Sequence, residues 1–185
     1  MGIVKKSKTH FTYSDYKDWE DSEKWELING EAYMMSQSPT IRHQTIANNI
    51  NRKIGNYLEN KSYIVLYETD VVLSEENVVK PDIIVVCDKE KITEKYIKGA
   101  PEFVAEILSV STARRDKIEK LKLYKKFGVK EYWIVDPVYN EITVHYFEKD
   151  EKETYYLEEK AEGNKIYVKI FGKELALDMA DIFKE

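Results

Sequence analysis

Two short apolar runs, Trp25-Glu26-Leu27-Ile28 and Glu31-Ala32-Tyr33-Met34, flank Asn29-Gly30. Asn-Gly supplies the two positive-φ positions of a tight turn, so the pattern predicts an antiparallel hairpin with Ile28 opposite Glu31 and Glu26 opposite Tyr33. Side chains alternate along a strand, which sets Glu26 and Glu31 on one face. Upstream, Thr12 and Asp15 have the spacing of a capping box, and a short helix is expected from about Tyr13. Downstream, Ser38-Pro39-Thr40 signals a helix start. Ile41, Ile46, Ile50, Ile54 and Leu58 then recur near helical spacing and predict an amphipathic helix over about 40–59.

From Tyr63 onward the pattern is that of strands: 63–67, 70–73, a Glu75-Glu76-Asn77 turn, and 78–86. Residues 103–108 are almost wholly apolar, as a strand buried on both faces requires. A second helix is expected over 112–127, closed by Gly128. Another buried strand follows at 131–135, stopped by Asp136-Pro137, and 142–147, 155–157 and 166–170 read as later antiparallel strands. A strand, a crossover helix and a further strand imply a right-handed parallel pair. Strands between 63 and 86 lie too close together for crossovers and pair antiparallel. The outcome is an α/β (α+β mixed) fold, a mixed sheet with helices against it. The length of 185 residues, with no internal repeat or Pro/Ser-rich linker, suits one domain over 1–185.

Composition adds limits rather than a fold. Hydrophobic residues make up 43% and charged residues 34%, a globular mixture, and fourteen tyrosines suit half-wet sheet surfaces. No apolar run is long enough for a membrane span, and Lys5, Lys6 and Lys8 are followed by no apolar segment of the signal-peptide kind. Cys87, the single cysteine, forms no internal disulfide and reads as core filler, which fits a cytoplasmic location. The net charge of −5 argues against a nucleic-acid partner until its distribution is considered. Between Arg114 and Lys130 there are eight basic residues against Asp116 and Glu119, and the acids concentrate elsewhere. One basic helix on an acidic protein presents either a local phosphate-attracting patch or simply a solvated face.

Two carboxylates stand out. Asp82 opens Pro81-Asp82-Ile83-Ile84-Val85-Val86, and Glu106 lies inside Phe103-Val104-Ala105-Glu106-Ile107-Leu108, where burial asks for no charge. A lone ionised carboxylate there is costly unless it is paired or metal-bound. On neighbouring strands the two would converge on one Mg²⁺, which takes oxygen ligands and keeps waters and a substrate phosphate. A buried salt bridge from Glu106 to Arg114, Arg115 or a helix lysine is the competing reading. For Asp82 the competing reading is an ordinary Pro-Asp strand start. Asp116, Lys120 and Tyr124 follow i, i+4, i+8 spacing on one helix face, whereas Lys122 projects about 200° further round. Lys120 is therefore the lysine expected to stabilise charge on a phosphate, against the plainer reading of a surface pair with Asp116. Glu26, Glu31 and His43 form a second tier: the glutamates would add a ligand or orient water, and His43 is either a site residue or a core or capping histidine.

These stretches together resemble the Uma2 family. The similarity runs through Trp25 to Glu31, His43-Gln44, Lys80-Pro81-Asp82-Ile83, Gly99 to Ser109, Ser111-Thr112, Arg115-Asp116, Lys120-Leu121, Tyr124, Gly128-Val129 and Glu131 to Pro137. It spans about residues 12–148 and is far more specific than any one motif. The resemblance implies the PD-(D/E)xK nuclease superfamily, a restriction-endonuclease-like αβββαβ core, and Asp82 and Glu106 as its two acidic positions. It also implies a metal-dependent endonuclease using Mg²⁺ (or Mn²⁺) on nucleic acid, DNA first. The chain departs from the pattern at Leu108, where the motif lysine belongs, and Lys120 is the natural substitute. Two other functions remain in view: a nucleic-acid-binding module without catalysis, and a tyrosine-rich module that pairs with a copy of itself as a homodimer.

Overall fold

The computed structural model describes residues 9–19, 24–35, 38–157 and 164–184. Lysines 5, 6 and 8, read above for targeting, lie outside the described residues. Thr12 and Asp15 form the reciprocal cap of helix α1 (Tyr13–Tyr16). Strands β1 (Trp25–Ile28) and β2 (Glu31–Met34) make the expected hairpin, with Ile28 opposite Glu31 and Glu26 opposite Tyr33. Its turn residues Asn29 and Gly30 both have positive φ, the requirement that selected Asn-Gly. Helix α2 (Ile41–Leu58) starts at Thr40, whose hydroxyl accepts the His43 N–H. Ile46, Ile50, Ile54 and Leu58 are buried along it, but Ile41 stands out in solvent, contrary to its place in the apolar series.

Strands β3 (Ile64–Tyr67) and β4 (Val71–Ser74) follow. The single strand expected over 78–86 is two, β5 (Asn77–Val79) and β6 (Ile83–Val86), and they belong to different sheets. Pro81 explains the break: without an N–H it cannot continue a ladder, and the chain changes sheets there. After β7 (Ile97–Lys98) comes β8 (Phe103–Ile107), buried at every position. The helix that follows is in two parts, a π-helical segment Arg115–Lys120 and then α3 (Leu121–Phe127). Gly128 ends α3 at φ 88°, a left-handed cap that favours glycine. Strands β9 (Glu131–Asp136), β10 (Glu141–Tyr146) and β11 (Glu151–Tyr156) complete the larger sheet. The tail adds β12 (Lys165–Tyr167), β13 (Ala176–Asp178) and α4 (Met179–Phe183), of which the last two had no clear periodic signal.

The six-stranded sheet has the order β11-β10-β9-β8-β6-β3 and the five-stranded sheet β2-β1-β5-β4-β7. β8 and β9 run parallel, joined by the crossover helix as expected, while β6 is antiparallel to both β8 and β3. Alternation gives the larger sheet two apolar faces. Ile83, Val85, Phe103, Ala105 and Ile107 pack against α2, α4 and the β12–β13 hairpin. Ile84, Val86, Val104 and Leu108 pack against Leu123, Tyr124 and residues of the smaller sheet, including Ile28, Val71 and Val79. Cys87 is half-buried at the edge of the first face, and burial pushes its thiol up to about 11. Among the described residues no helix is long and apolar enough to cross a membrane.

Candidate active site

The register Ile83↔Ala105 carries one step further to put Asp82 across from Glu106, at the end of the sheet where β8 finishes and β6 begins. Directly opposed residues have Cβ atoms about 5 Å apart and share a face. Parity sets both toward the crossover helix, since Ile84 and Val104 lie on that side. Asp82 Oδ2 accepts the backbone N–H of Ile107 at 2.7 Å, which ties the two strand ends together. His43 reaches the same oxygen from α2, with Nε2 at 3.3 Å.

Lys120 enters from the opposite side. Its Nζ lies 2.8 Å from Glu106 Oε1, 2.6 Å from Glu26 Oε1 and 3.4 Å from Asp116 Oδ1. All four groups are almost completely buried, so the plainer expectation of a surface Asp116–Lys120 pair does not hold. Tyr124 donates its hydroxyl to Glu106 Oε1 at 2.8 Å, and Arg115 Nη1 stands 3.8 Å from Glu26 Oε2. The salt bridge that was the competing reading of Glu106 is thus present and comes from Lys120, whereas Arg115 serves Glu26. The widened π-helical turn carries both Asp116 and Lys120, and π turns recur at functional sites. The Tyr132 hydroxyl fastens that turn to β9 by donating to the Asp116 carbonyl at 3.1 Å.

The charges do not balance. Glu26, Glu106 and Asp116 converge on the Lys120 ammonium, the Arg115 guanidinium stands farther off beside Glu26, and Asp82 next to them meets His43. Burial works against the Lys120 ammonium, but Glu106, Glu26 and Asp116 hold its pKa well above the ordinary lysine value. Burial, offset in part by Lys120, holds the Glu106 carboxyl well above the usual carboxylate range, with Asp116, Asp82 and Glu26 adding to it. Burial raises Asp116 in the same way, and its Oδ1 has no hydrogen-bond donor beyond the longer ionic contact. Burial alone would lower His43, but Asp82 raises it above the ordinary value.

The second tier divides. Glu26 joins the cluster and accepts the Lys80 N–H at 3.1 Å, whereas Glu31 is exposed and accepts from the Tyr33 hydroxyl at 2.6 Å. Both glutamates are on one face, but β2 is the edge strand, so Glu31 looks out past the sheet while Glu26 lies beneath the helix. Arg115 caps the hairpin side of the site, 4.2 Å from the centre of the Tyr33 ring. The basic run presents less charge than its count suggests. Arg115 and Lys120 turn inward, and Lys117, Lys125 and Lys130 pair with Asp136, Asp150 and Glu148. Tyr124 was placed near the site by helix spacing and Arg115 was weighed as a salt-bridge partner of Glu106, but that Tyr124 binds Glu106 and Arg115 faces Glu26 required the tertiary structure.

Comparison with known proteins agrees with this fold. A crystal structure described as "a putative nuclease belonging to DUF820" from Anabaena variabilis superposes with a TM-score of 0.78, covering 94% of this chain and 97% of that one at 21% identity. An uncharacterised protein of Synechocystis sp. (sll1609) is 26% identical over 144 residues, 74% of this chain and 80% of the relative. The family Uma2, described as "Putative restriction endonuclease", matches residues 13–180, a span that holds every residue of the cluster, and the chain belongs to the Uma2 family.

Proposed function

We propose that the chain is a metal-dependent endonuclease that hydrolyses phosphodiester bonds of nucleic acid, with DNA the first substrate to test. The observation that carries this reading is the opposition of Asp82 and Glu106 across β6 and β8, with Lys120 delivered to Glu106 from the helix. The donor set suits a hard cation. It is all oxygen, it carries unbalanced negative charge, and it includes the buried Asp116 Oδ1 that lacks a hydrogen bond. Among the described residues no group of three or more acidic, histidine or cysteine side chains is placed to hold a metal ion. Mg²⁺ needs none, because it commonly takes one or two carboxylates and fills its shell with waters and substrate oxygens.

Asp82 and Glu106 would hold Mg²⁺ or Mn²⁺, which when bound would polarise the phosphate and acidify a water. Lys120 keeps Glu106 in place and offsets part of the carboxylate charge, the two tasks left open by Leu108. Tyr124 fixes the same carboxyl by its second hydrogen bond. His43 is a positioning residue for Asp82. Glu31 has no part in this scheme.

The test is calorimetric titration of Mg²⁺ and Mn²⁺ into the protein and its Asp82→Ala and Glu106→Ala variants, beside digestion of labelled DNA and RNA. Metal uptake and cleavage that both variants lose support the reading. Metal uptake by neither the protein nor its variants contradicts it. One observation favours a second reading, a binding module without catalysis: Lys120 is walled in by three carboxylates and nearly inaccessible. Nucleic-acid binding without any cleavage is what that reading predicts.

A further inference from the structure

The large apolar side chains that solvent reaches are not scattered. Among the described residues, five are more than two-thirds exposed: Ile41, Tyr67, Val110, Val138 and Tyr139. All five stand at the same end of the six-stranded sheet, the end that carries Asp82. Tyr67 finishes β3 opposite Ile83. Val110 lies three residues past the end of β8, and Val138 and Tyr139 form the turn between β9 and β10. Ile41 opens α2, two residues before His43. Exposing such groups singly is ordinary, but gathering the most exposed of them around one cluster is not.

The two rings are unoccupied in a way most other tyrosines are not. Tyr16, Tyr33, Tyr57, Tyr124, Tyr132, Tyr146 and Tyr155 all donate their hydroxyls to a carboxylate or carbonyl. Tyr67 and Tyr139 are held only through their backbones, by Thr69 and Asp136 respectively. The turn bearing Tyr139 is nevertheless firm, because Arg42 donates to the Pro137 carbonyl at 3.2 Å and to Asn140 Oδ1 at 2.6 Å. From β3 to β9 there are three strand spacings, ~14 Å, so the rings flank the strand ends that carry Asp82 and Glu106. Arg114 lies exposed at the start of the crossover helix at this end, a cation for a phosphate between them.

Resting on the nuclease reading above, we infer that the substrate is nucleic acid with unpaired bases, a single strand or a single-stranded tract. Tyr67 and Tyr139 stack bases on either side of Asp82, and the aliphatic side chains line the path between them. Every base has a π-face, so such a platform is tolerant of sequence. A second copy of the chain is the poorer occupant, since its docking on this edge would close the approach to His43 and Asp82, whose side chains are only 13% and 17% exposed.

The experiment is binding of labelled oligonucleotides to the full chain in EDTA, where metal-dependent cutting is silent, comparing a single strand with its duplex. The expected result is at least tenfold tighter binding of the single strand, weakened roughly 5- to 100-fold for each of Tyr67→Ala and Tyr139→Ala. Tyr67→Phe and Tyr139→Phe keep the π-face and should bind as the unsubstituted chain does, and thermal melts should be unchanged in all four. Equal or tighter binding of duplex, or alanine variants that bind unchanged, would overturn the inference. So would a dimer that Ile41→Lys or Val138→Glu dissociates, which would make the edge a self-association surface. The outcomes separate from those of the nuclease reading. Single-strand binding without cleavage sinks only the nuclease reading, and metal-dependent cutting confined to duplex sinks only this one.

Discussion

Lys120 Nζ lies 2.8 Å from Glu106 Oε1, although fourteen residues and a change from strand to helix separate them. Leu108, two residues beyond Glu106 on the same face, packs into the core with Leu123 and Tyr124. A strand lysine at that position would have to turn back from an apolar pocket. The helix brings its ammonium to the same carboxylate from above, with the leucine filling the pocket instead.

Removing that ammonium leaves Glu26, Glu106 and Asp116 facing one another in a buried space. Lys120→Met should therefore lower stability by about 3–5 kcal/mol near pH 8, the usual cost of a buried charge that loses its partner. The loss should shrink toward pH 5, because the folded variant's carboxyls take up protons more readily than the unfolded chain's. Chemical denaturation at the two pH values checks both size and sign.

His43 is raised above the ordinary histidine value despite its burial, and Asp82 is the first cause of the rise. Asp82→Asn should consequently lower the His43 pKa, because the largest of the effects that raise it is removed while burial still acts against the charge. An NMR titration of the imidazole reads the change directly, and a His43 pKa that is indifferent to the substitution would sever the link between the two residues.

Glu131 is buried on β9, accepting from Trp133 Nε1 at 2.7 Å and from the Ile170 N–H at 2.9 Å. Burial dominates these bonds and pushes its carboxyl up to about 7. A folded pKa above the unfolded one means that the native state binds more protons between about pH 4.5 and 7. This contribution to stability is present at the acid end and lost as pH rises through 7, on the order of 3 kcal/mol across the window. Glu131→Gln should flatten that slope and make the protein more stable than the unsubstituted chain at pH 8, as urea denaturation would show.

Gly128 closes α3 at φ 88°, and a Cβ there meets nothing within 4 Å. Strain without collision should make Gly128→Ala cost about 1 kcal/mol, with the site unaffected. A thermal melt that falls by a few degrees while metal uptake is unchanged is the expected outcome.

The hairpin, both long helices, the buried strand around Glu106 and the parallel β8–β9 pair were legible because each rests on local patterning. Asn29-Gly30 fixes register, the isoleucines of α2 mark a face, and Gly128 marks a stop. The break at Lys80-Pro81 was equally present in the sequence, but an uninterrupted apolar texture from Val78 to Val86 outweighed the one residue that forbids a continuous ladder. At the site, the spacing of Asp116, Lys120 and Tyr124 pointed to a common face, and Lys120 and Tyr124 do meet on Glu106. Glu31 was not separable from Glu26 by alternation, since only the position of β2 at the sheet edge distinguishes them. The π-helical turn has no periodic signature, and the contacts that Arg115 makes with Glu26 and the Asp116 carbonyl with Tyr132 are tertiary ones.

The most direct test of the central claim is the rate of nucleic-acid cleavage in Mg²⁺, in Mn²⁺ and in EDTA, measured for the unsubstituted chain and for Asp82→Asn. Asparagine preserves the acceptor for the Ile107 N–H and removes only the charge, so the fold should persist. The account predicts cleavage that requires the divalent cation and falls at least a hundredfold in the variant, with an unchanged thermal melt. Cleavage by Asp82→Asn at the full rate, or cleavage that continues in EDTA, would contradict it.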